Sequence, residues 1–304
     1  MPIPLLPSVS GSELYAWVDP DGTEHALNTA AGYDVLVGMS GRWYPDMDIV
    51  EDIIPQQPGA RWRETVVRPR TVDIPILVRG STYLQRDQRV RELARWVDGR
   101  RGESRFRVTA LNDAILDLIG RGTLTMNEGP EERQHIAQTV IVTMRAQDPY
   151  WRDKDAISPD PYVSGGTVET WFGRPWFPFR LASSTVIANP TIDNDGDVEA
   201  WPSWLITGPG TNPVLRNLTS GKRIALDSYT LVPGQQILID TAPGVKSVTD
   251  ALGTNLFGSL SGDSELWPLV RGSNAIQIEL GSATSVSSVV VSYRRRFLTP
   301  LTPD

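Results

Sequence analysis

The chain has 304 residues, of which 40% are hydrophobic and 21% charged, and a net charge of −7. This composition excludes a disordered chain and a coiled coil, and the length predicts two domains of roughly 150 residues each. A membrane span needs about 18 apolar residues, and every apolar run in this sequence is shorter. The first residues are interrupted by prolines and lack the basic region of a signal peptide. We therefore expect neither a transmembrane helix nor a signal peptide. The absence of cysteine excludes disulfides and thiolate chemistry and suits assembly in a reducing cytoplasm.

The charge is distributed unevenly along the chain. Residues 1–59 carry a local charge of −8, whereas residues 60–107 carry thirteen arginines, no lysine and a charge of +7. Arginine forms fixed ion pairs better than lysine does. The two adjacent segments are therefore expected to pair, within one subunit, between neighbouring copies, or both.

The first half is predicted to be mainly β with a single helix. Asp-Gly turn chemistry predicts a hairpin over residues 13–27. Residues 45–60, rich in proline, glutamine and acids, predict a long loop or arm. The helix is predicted over Thr82–Asp98, with Ser81 or Thr82 as its cap and Gly99 at its end. Its core face is predicted to carry Tyr83, Val90, Leu93, Ala94 and Val97, and its other face Arg86, Arg89, Arg91 and Arg95. Further strands are predicted at 34–37, 61–68, 71–79, 104–110, 115–126 and 136–147.

The second half shows almost only strand periodicity. After a linker and entry segment, 153–184, strands recur every 8 to 15 residues between Gly, Pro and Asn, which is typical of a β-sandwich. They are predicted at 185–188, 201–207, 213–218, 223–226, 236–241, 275–281 and 285–297. The expected fold class is thus mainly β, with a β-barrel-like N-terminal domain (1–152) that packs one helix and a C-terminal sandwich (185–304).

Catalytic and cofactor motifs are missing from the sequence. It has no G-x-S-x-G elbow, Walker loop, H-E-x-x-H or G-x-G-x-x-G. The acidic run 193–197 lacks the glycine and glutamate spacing of a calcium loop, so an acidic turn is favoured over a metal site. His25 and His135 are interpreted as surface or interface residues. We expect a protein without catalytic residues, metal or cofactor, although two of the 36 acids meeting in space would leave a hydrolase open.

The arginine-rich stretch and the tryptophans each allow a binding hypothesis and a structural alternative. The arginine-rich stretch is interleaved with acids, which favours a solvated or subunit-facing surface over specific nucleic-acid binding. Tryptophans in the second half are candidates for glycan or partner contact by stacking, while the alternative places them in the core or at the rim of a sandwich. The candidates are Trp171, Trp176, Trp201, Trp204 and Trp267.

The order of parts resembles the distal tail protein family of long, non-contractile-tailed bacteriophages. A proline-rich arm leads to the Gly59-Ala60-Arg61-Trp62 sequence and to strands that end in Val78-Arg79-Gly80. A helix then leads to Trp96-Val97-Asp98-Gly99, and the half closes with Asp148-Pro149-Tyr150-Trp151, the most specific element. The second half contributes Asn194-Asp195-Gly196-Asp197, Ala200-Trp201-Pro202, Ile206-Thr207-Gly208-Pro209, Asn217-Leu218-Thr219-Ser220-Gly221, Leu238-Ile239-Asp240 and Gly272-Ser273-Asn274. The Trp-rich segment Gly165–Ser184 departs from the family.

The resemblance implies a structural virion protein at the phage tail tip. N-terminal domains would form a hexameric ring that joins the tail tube protein to a tail tip or baseplate protein. A galectin-like or carbohydrate-module-like sandwich would face outward as an adaptor or host-glycan contact. The expected interface pairs acids of the arm with arginines of the neighbour: Asp46, Asp48, Glu51 and Asp52 with Arg61, Arg63, Arg68 and Arg70. The alternative function is a non-enzymatic carbohydrate-binding module.

Overall fold

The computed structural model describes residues 13–55, 58–126, 136–163 and 186–301. The chain divides into two compact units, one of Met1–Lys154 with Phe297–Asp304 and one of Asp155–Arg296. Both units are mainly β, as predicted. The C-terminal residues from Phe297 onward group with the first unit, whereas the sequence had assigned them to the sandwich.

The first unit is built on one open sheet. Its strands are β1 (Leu14–Val18), β2 (Glu24–Ala26), β3 (Tyr33–Val35), β6 (Arg70–Arg79), β7 (Ser104–Thr109), β8 (Ile115–Met126), β9 (Ala137–Ala146) and β10 (Trp151–Asp153), and a separate ribbon is formed by β4 (Met47–Ile53) and β5 (Ala60–Val67). The sheet runs in the order β2-β1-β7-β8-β9-β6-β3, with β10 on β8. All these pairings are antiparallel. In the described residues the path ends at β2 and β3, so the sheet is barrel-like but not closed.

The predicted helix is confirmed as α1 (Tyr83–Val97). The Thr82 hydroxyl accepts a hydrogen bond from the Gln85 amide at 3.2 Å and caps its start. The helix packs on β6, β8 and β9. At Gly122 of β8 an added Cβ would lie 2.4 Å from a methyl of Val97, so the close approach of helix and strand requires glycine there.

The predicted core face of α1 is partly wrong. Val90, Leu93 and Val97 are buried, but Tyr83 is 53% exposed and Ala94 is also exposed. Arg86, assigned to the solvent face, is buried, and its guanidinium contacts Asp87 and the Tyr83 ring. The helix turns a narrower apolar stripe to the sheet than its spacing predicted, because arginine methylenes can line a core when the charged end finds a partner.

The second unit is a two-sheet sandwich, as predicted. One sheet runs β11-β21-β14-β18-β19; the other runs β12-β20-β15-β16, with β13 also on β20 and β17 on β15. The bounds are β11 (Tyr162–Val163), β12 (Val186–Ala188), β13 (Thr191–Asn194), β14 (Ser203–Thr207), β15 (Gly210–Asn217), β16 (Lys222–Ala225), β17 (Thr230–Leu231), β18 (Gln236–Asp240), β19 (Ser247–Asp250), β20 (Gly272–Gly281) and β21 (Ser288–Ser292). The last strand, β22 (Arg296–Phe297), pairs with β10 of the first sheet. Its galectin-like character stays a prediction.

Buried asparagines explain three of the second-half motifs. The Asn194 amide donates to the carbonyls of Val198 and Leu269, and its oxygen accepts from the Gly196 amide in the acidic turn. The Asn274 amide donates to the carbonyls of Ile192 at 3.3 Å and Val270 at 2.8 Å. A third buried asparagine, Asn217, accepts from the Ser220 amide and closes the turn after β15. These side chains satisfy buried backbone groups where strands end, which is a structural role.

Candidate subunit interface

The predicted arm over residues 45–60 is not a loop but half of a two-stranded ribbon. β4 and β5 pair antiparallel from Met47↔Val67 to Ile53↔Ala60, with a register shift between Val50 and Glu51. Among the described residues, neither strand joins another sheet. Nearly all ribbon residues are exposed or half-buried, so both faces of the ribbon meet solvent in the isolated chain.

One face of the ribbon carries Asp48 and Asp52, and both pair within the chain. Asp52 lies 2.5 Å from the Arg63 side chain, and Asp48 contacts Arg68. Asp48 raises the pKa of the Arg68 guanidinium through their hydrogen bond. Both pairs are exposed, and exposed ion pairs contribute about 0–1 kcal/mol each. These two ion pairs lie within one subunit. Ion pairs between subunits stay a prediction.

The remaining predicted acids and Arg61 have different surroundings. The Asp46 carbonyl accepts a hydrogen bond from the Arg68 amide at 2.8 Å, which anchors the base of the ribbon. Arg61 lies opposite Asp52 in the ladder, and Glu51 lies opposite Trp62. Asp46, Glu51 and Arg61 are all exposed. They are available for contacts with another molecule.

The opposite face of the ribbon is mostly apolar, although it also carries Glu51 opposite Trp62. Alternation along the strands places Met47, Ile49 and Ile53 on the side of Trp62. Ile49 is 63% exposed, Ile53 82% and Trp62 62%. The Trp62 indole donates to the Thr65 hydroxyl at 3.2 Å, which fixes the ring on this face. Such a group of exposed apolar side chains on one face of the ribbon is typical of an interaction surface.

Arg70 is the one predicted interface arginine that is wrongly placed. It is 1% exposed, and its guanidinium donates to the carbonyls of Arg42 at 2.9 Å and Leu298 at 2.6 Å. Burial lowers the pKa of Arg70 to about 10. Its side chain therefore binds the core of its own unit and cannot cross to a neighbour in this conformation.

Arg107 is also buried, which the sequence did not predict. Its guanidinium forms two hydrogen bonds with Asp117, at 2.8 and 2.9 Å, and also contacts Glu24. The hydrogen bond to Asp117 raises the pKa of Arg107. Arg107 and Asp117 face each other across β7 and β8. The contact with Glu24 joins the acidic segment 1–59 to the basic segment 60–107 within one subunit, so part of the uneven charge map is internal.

The described tryptophan candidates for glycan contact are mostly in the core. Trp204 and Trp267 have no exposed surface, and their rings meet edge to face at 5.5 Å between centroids. Both predictions are wrong, because a fully buried ring offers no face for a sugar to stack on. Trp201 is half-buried. Trp171, Trp176 and the segment Gly165–Ser184 lie outside the described residues.

Acids and histidines do not gather into a metal-binding cluster in the described ranges. No group of three or more acids and histidines there is placed to hold a metal ion. His25 stacks on the Trp96 ring at 3.9 Å and lies 3.3 Å from Asp19. His135 lies outside the described residues.

In the part of the chain that the structure describes, no helix is both long and apolar enough to cross a membrane.

Comparisons with known proteins agree with the architecture. Residues 195–297 match the family of siphovirus-type tail components, C-terminal domain (SPP1_Dit). A search of curated proteins finds no match. The Dit (gp 19.1) protein of phage SPP1, described as a paradigm of the hub adsorption apparatus in phages that infect Gram-positive hosts, has a TM-score of 0.66 at 14% identity, over 93% of this chain and 99% of that one.

Two baseplate structures also match over most of the chain. The phage P2 baseplate in its activated conformation with Ca has a chain that matches with a TM-score of 0.56 at 12% identity, over 93% of this chain and 98% of that one. The same baseplate with Sr gives a TM-score of 0.56 at 12% identity, over 94% and 98%. The predicted resemblance to distal tail proteins is confirmed.

Proposed function

We propose that this Dit-like chain is a structural hub of a phage tail, whose copies close into a ring, six in number, between the tail tube and the tail tip or baseplate. The proposal is supported by the tail-component match at 195–297 and by a fold shared over 93% of the chain with a protein described as a hub. The chain would then act in the virion, at the tip of the tail. Its partners would be other copies, the tail tube protein and a tail tip protein.

The observation that carries the ring is the protruding ribbon. An isolated two-stranded ribbon is marginally stable in water, and this one also exposes an apolar face with Ile53 and Trp62. Covering that face on a neighbour would stabilise both. A ribbon that meets a different patch on the next copy makes a heterologous contact, and such contacts generate closed rings when the rotation closes.

The second unit is proposed as the adaptor that contacts other tail or host components. Its sandwich core is complete, with Trp204 and Trp267 inside it. A glycan site on the described sandwich would depend on polar groups and on Trp201, because the other two described candidates, Trp204 and Trp267, are buried. The carbohydrate-binding alternative is therefore less supported than the tail hub.

Imaging of the full-length protein tests the proposed function. Negative-stain micrographs of the purified chain are expected to show rings with a central channel, and an antibody against the chain is expected to label the tip of phage tails. Single, unassociated particles over a wide concentration range, together with no label on tails, would contradict the proposal. Glycan-array binding by a monomer would instead support the carbohydrate-binding alternative.

A further inference from the structure

A surface groove of about 560 Å³ lies on the first unit between the end of α1 and β8. Its apolar side is formed by Ala94, Val97 and Leu124, and its charged lining residues are Asp98, Arg100 and Arg121. Arg100 is already paired with Asp98, at 2.8 Å. The Arg121 guanidinium donates to the Gly99 carbonyl at 3.0 Å, which holds the side chain along the groove. The groove is thus apolar inside, and Arg121 is the lining arginine that has no ion pair within the described residues.

The groove adjoins a strand edge that no described strand covers. β8 pairs with β7 only as far as Gly120, opposite Ser104, and beyond that residue it pairs with β9 on its other side. The Gly99 amide donates to the Gly122 carbonyl at 3.2 Å on the free side. The edge from Thr123 to Met126 continues past that contact. An uncovered edge next to an apolar groove is suited to receive another strand.

The ribbon of β4 and β5 has the complementary surface. Its apolar face presents Ile49, Ile53 and Trp62, and the acid on this face, Glu51, has no ion pair within the described residues. Both outer edges of the ribbon are also unpaired by any described strand. An apolar strand pair with one carboxylate therefore matches an apolar groove with an arginine rim.

We propose that, in the ring, the apolar face of the ribbon of one copy lies in the α1–β8 groove of the next, with Glu51 facing the rim arginine Arg121. This inference rests on the proposed ring function and names the two surfaces that meet. The occupant is a second copy of this chain, because the ribbon supplies both the apolar side chains and the charge that the groove needs. The two surfaces differ, as a heterologous ring contact requires.

Two matched pairs of substitutions test the inference by native mass measurement of the full chain. Trp62→Asp places a charge on the apolar face. Its control, Val66→Asp, places the same charge at an exposed valine on the opposite face. Ala94→Glu obstructs the groove with an acid, and its control Gln88→Glu adds the acid to an exposed position of the same helix outside the groove. Circular dichroism checks that each variant is folded.

Trp62→Asp and Ala94→Glu are each expected to raise the protein concentration at which half of the chains are assembled at least tenfold. The two controls are expected to stay within about twofold of the wild-type concentration. If Trp62→Asp and Ala94→Glu assemble like wild type, the inference is overturned while the ring stands. If Trp62→Asp leaves the ring intact but abolishes binding to purified tail tubes, the occupant is the tube protein and the inference is also overturned. A wild-type chain that stays monomeric and does not bind tails overturns the proposed function itself.

Cross-linking gives a second, independent readout because the chain contains no cysteine. Ile53→Cys and Ala94→Cys are each introduced alone and together, and treated with a short bismaleimide. The double variant is expected to form a ladder of covalent oligomers up to the ring, and a mixture of the single variants to form heterodimers. Each single variant alone is expected to remain uncoupled. Equal coupling in the single variants, or none in the double variant when rings are present, would refute the contact.

Discussion

Arg70 and Trp151 donate hydrogen bonds to the same carbonyl oxygen, that of Arg42. The Arg70 guanidinium lies 2.9 Å from it and the Trp151 indole nitrogen 3.2 Å. Both side chains are fully buried, and Arg70 also binds the Leu298 carbonyl. The tryptophan that closes the most specific motif of the resemblance is therefore a core residue that secures the segment before the ribbon.

Removing the Trp151 donor should destabilise the first unit. Trp151→Phe keeps an aromatic ring beside Phe106 but loses the indole N–H, so the free energy of unfolding should fall by about 1–2 kcal/mol. Urea denaturation of the full chain measures it. Since Arg70 shares the acceptor, Arg70→Met should be non-additive with Trp151→Phe by at least about 0.5 kcal/mol. Strict additivity would show that the shared carbonyl does not couple them.

The C-terminal residues should be required for the stability of the first unit. Phe297 has no exposed surface and lies in the core of that unit. Phe297→Ala should reduce the free energy of unfolding by about 3–5 kcal/mol, whereas Leu301→Ala, at a 55% exposed position, should change it by less than about 0.5 kcal/mol. A fragment that ends at residue 152 lacks Phe297, so we expect it to fold poorly. A stable fragment of 1–152 would contradict this assignment.

The buried pair Arg107–Asp117 should matter far more than the exposed pairs of the ribbon. Asp117→Asn leaves the Arg107 charge buried with only the more exposed Glu24, which should cost about 3–5 kcal/mol of unfolding free energy. Asp52→Asn, which removes the partner of Arg63, should cost at most about 1 kcal/mol. Thermal or urea denaturation compares the two. Equal effects would mean that the buried pair is hydrated.

Local patterns predicted the elements well where one face of an element is buried. The helix is one case: Thr82 supplied its cap, and Val90, Leu93 and Val97 set its period. The ribbon strand β4 was missed because both of its faces meet solvent and its ladder shifts register at Val50, so no clean alternation marks it. Hydrophobic periodicity and turn residues indicate which side chains are buried in the chain's own core. They do not indicate which surfaces another molecule covers.

Buried charges and tryptophans were the least predictable part of the candidate site. Arg70 and Arg107 look like surface residues in a basic segment, yet their partners, Leu298 and Asp117, are fixed only by tertiary folding. Trp204 alternates with Ile206 on one strand, a spacing compatible with the core, but composition alone had suggested a ligand surface. Only the three-dimensional structure distinguishes a core tryptophan from a tryptophan at a ligand surface.

The pair of Asp263 and Arg223 should make the second unit lose stability in acid. The hydrogen bond from Arg223, at 2.5 Å, lowers the pKa of Asp263 to about 2, below its ordinary value of 3.8. Because the folded pKa is depressed, the contribution is present above about pH 4 and is lost as the pH falls through about 2. Asp263→Asn should be less stable than wild type at neutral pH, and the difference should vanish near pH 2.

The partner substitution serves as the control for this pH effect. Arg223→Gln should show the same convergence with wild type in acid, because it removes the same hydrogen bond. Urea denaturation of the full chain at a series of pH values measures both variants. A difference between wild type and Asp263→Asn that stays constant from neutral pH to pH 2 would show that the carboxylate charge is not involved.

The mass of the full-length chain in solution tests the central claim most directly. Native mass spectrometry, supported by light scattering over a range of concentrations, distinguishes a ring from a single 33.6 kDa chain. A closed ring of six copies has a mass of about 200 kDa, and this species is expected to dominate, without larger open-ended assemblies. A 33.6 kDa monomer at every concentration would contradict the proposal that this protein is a ring-forming tail hub.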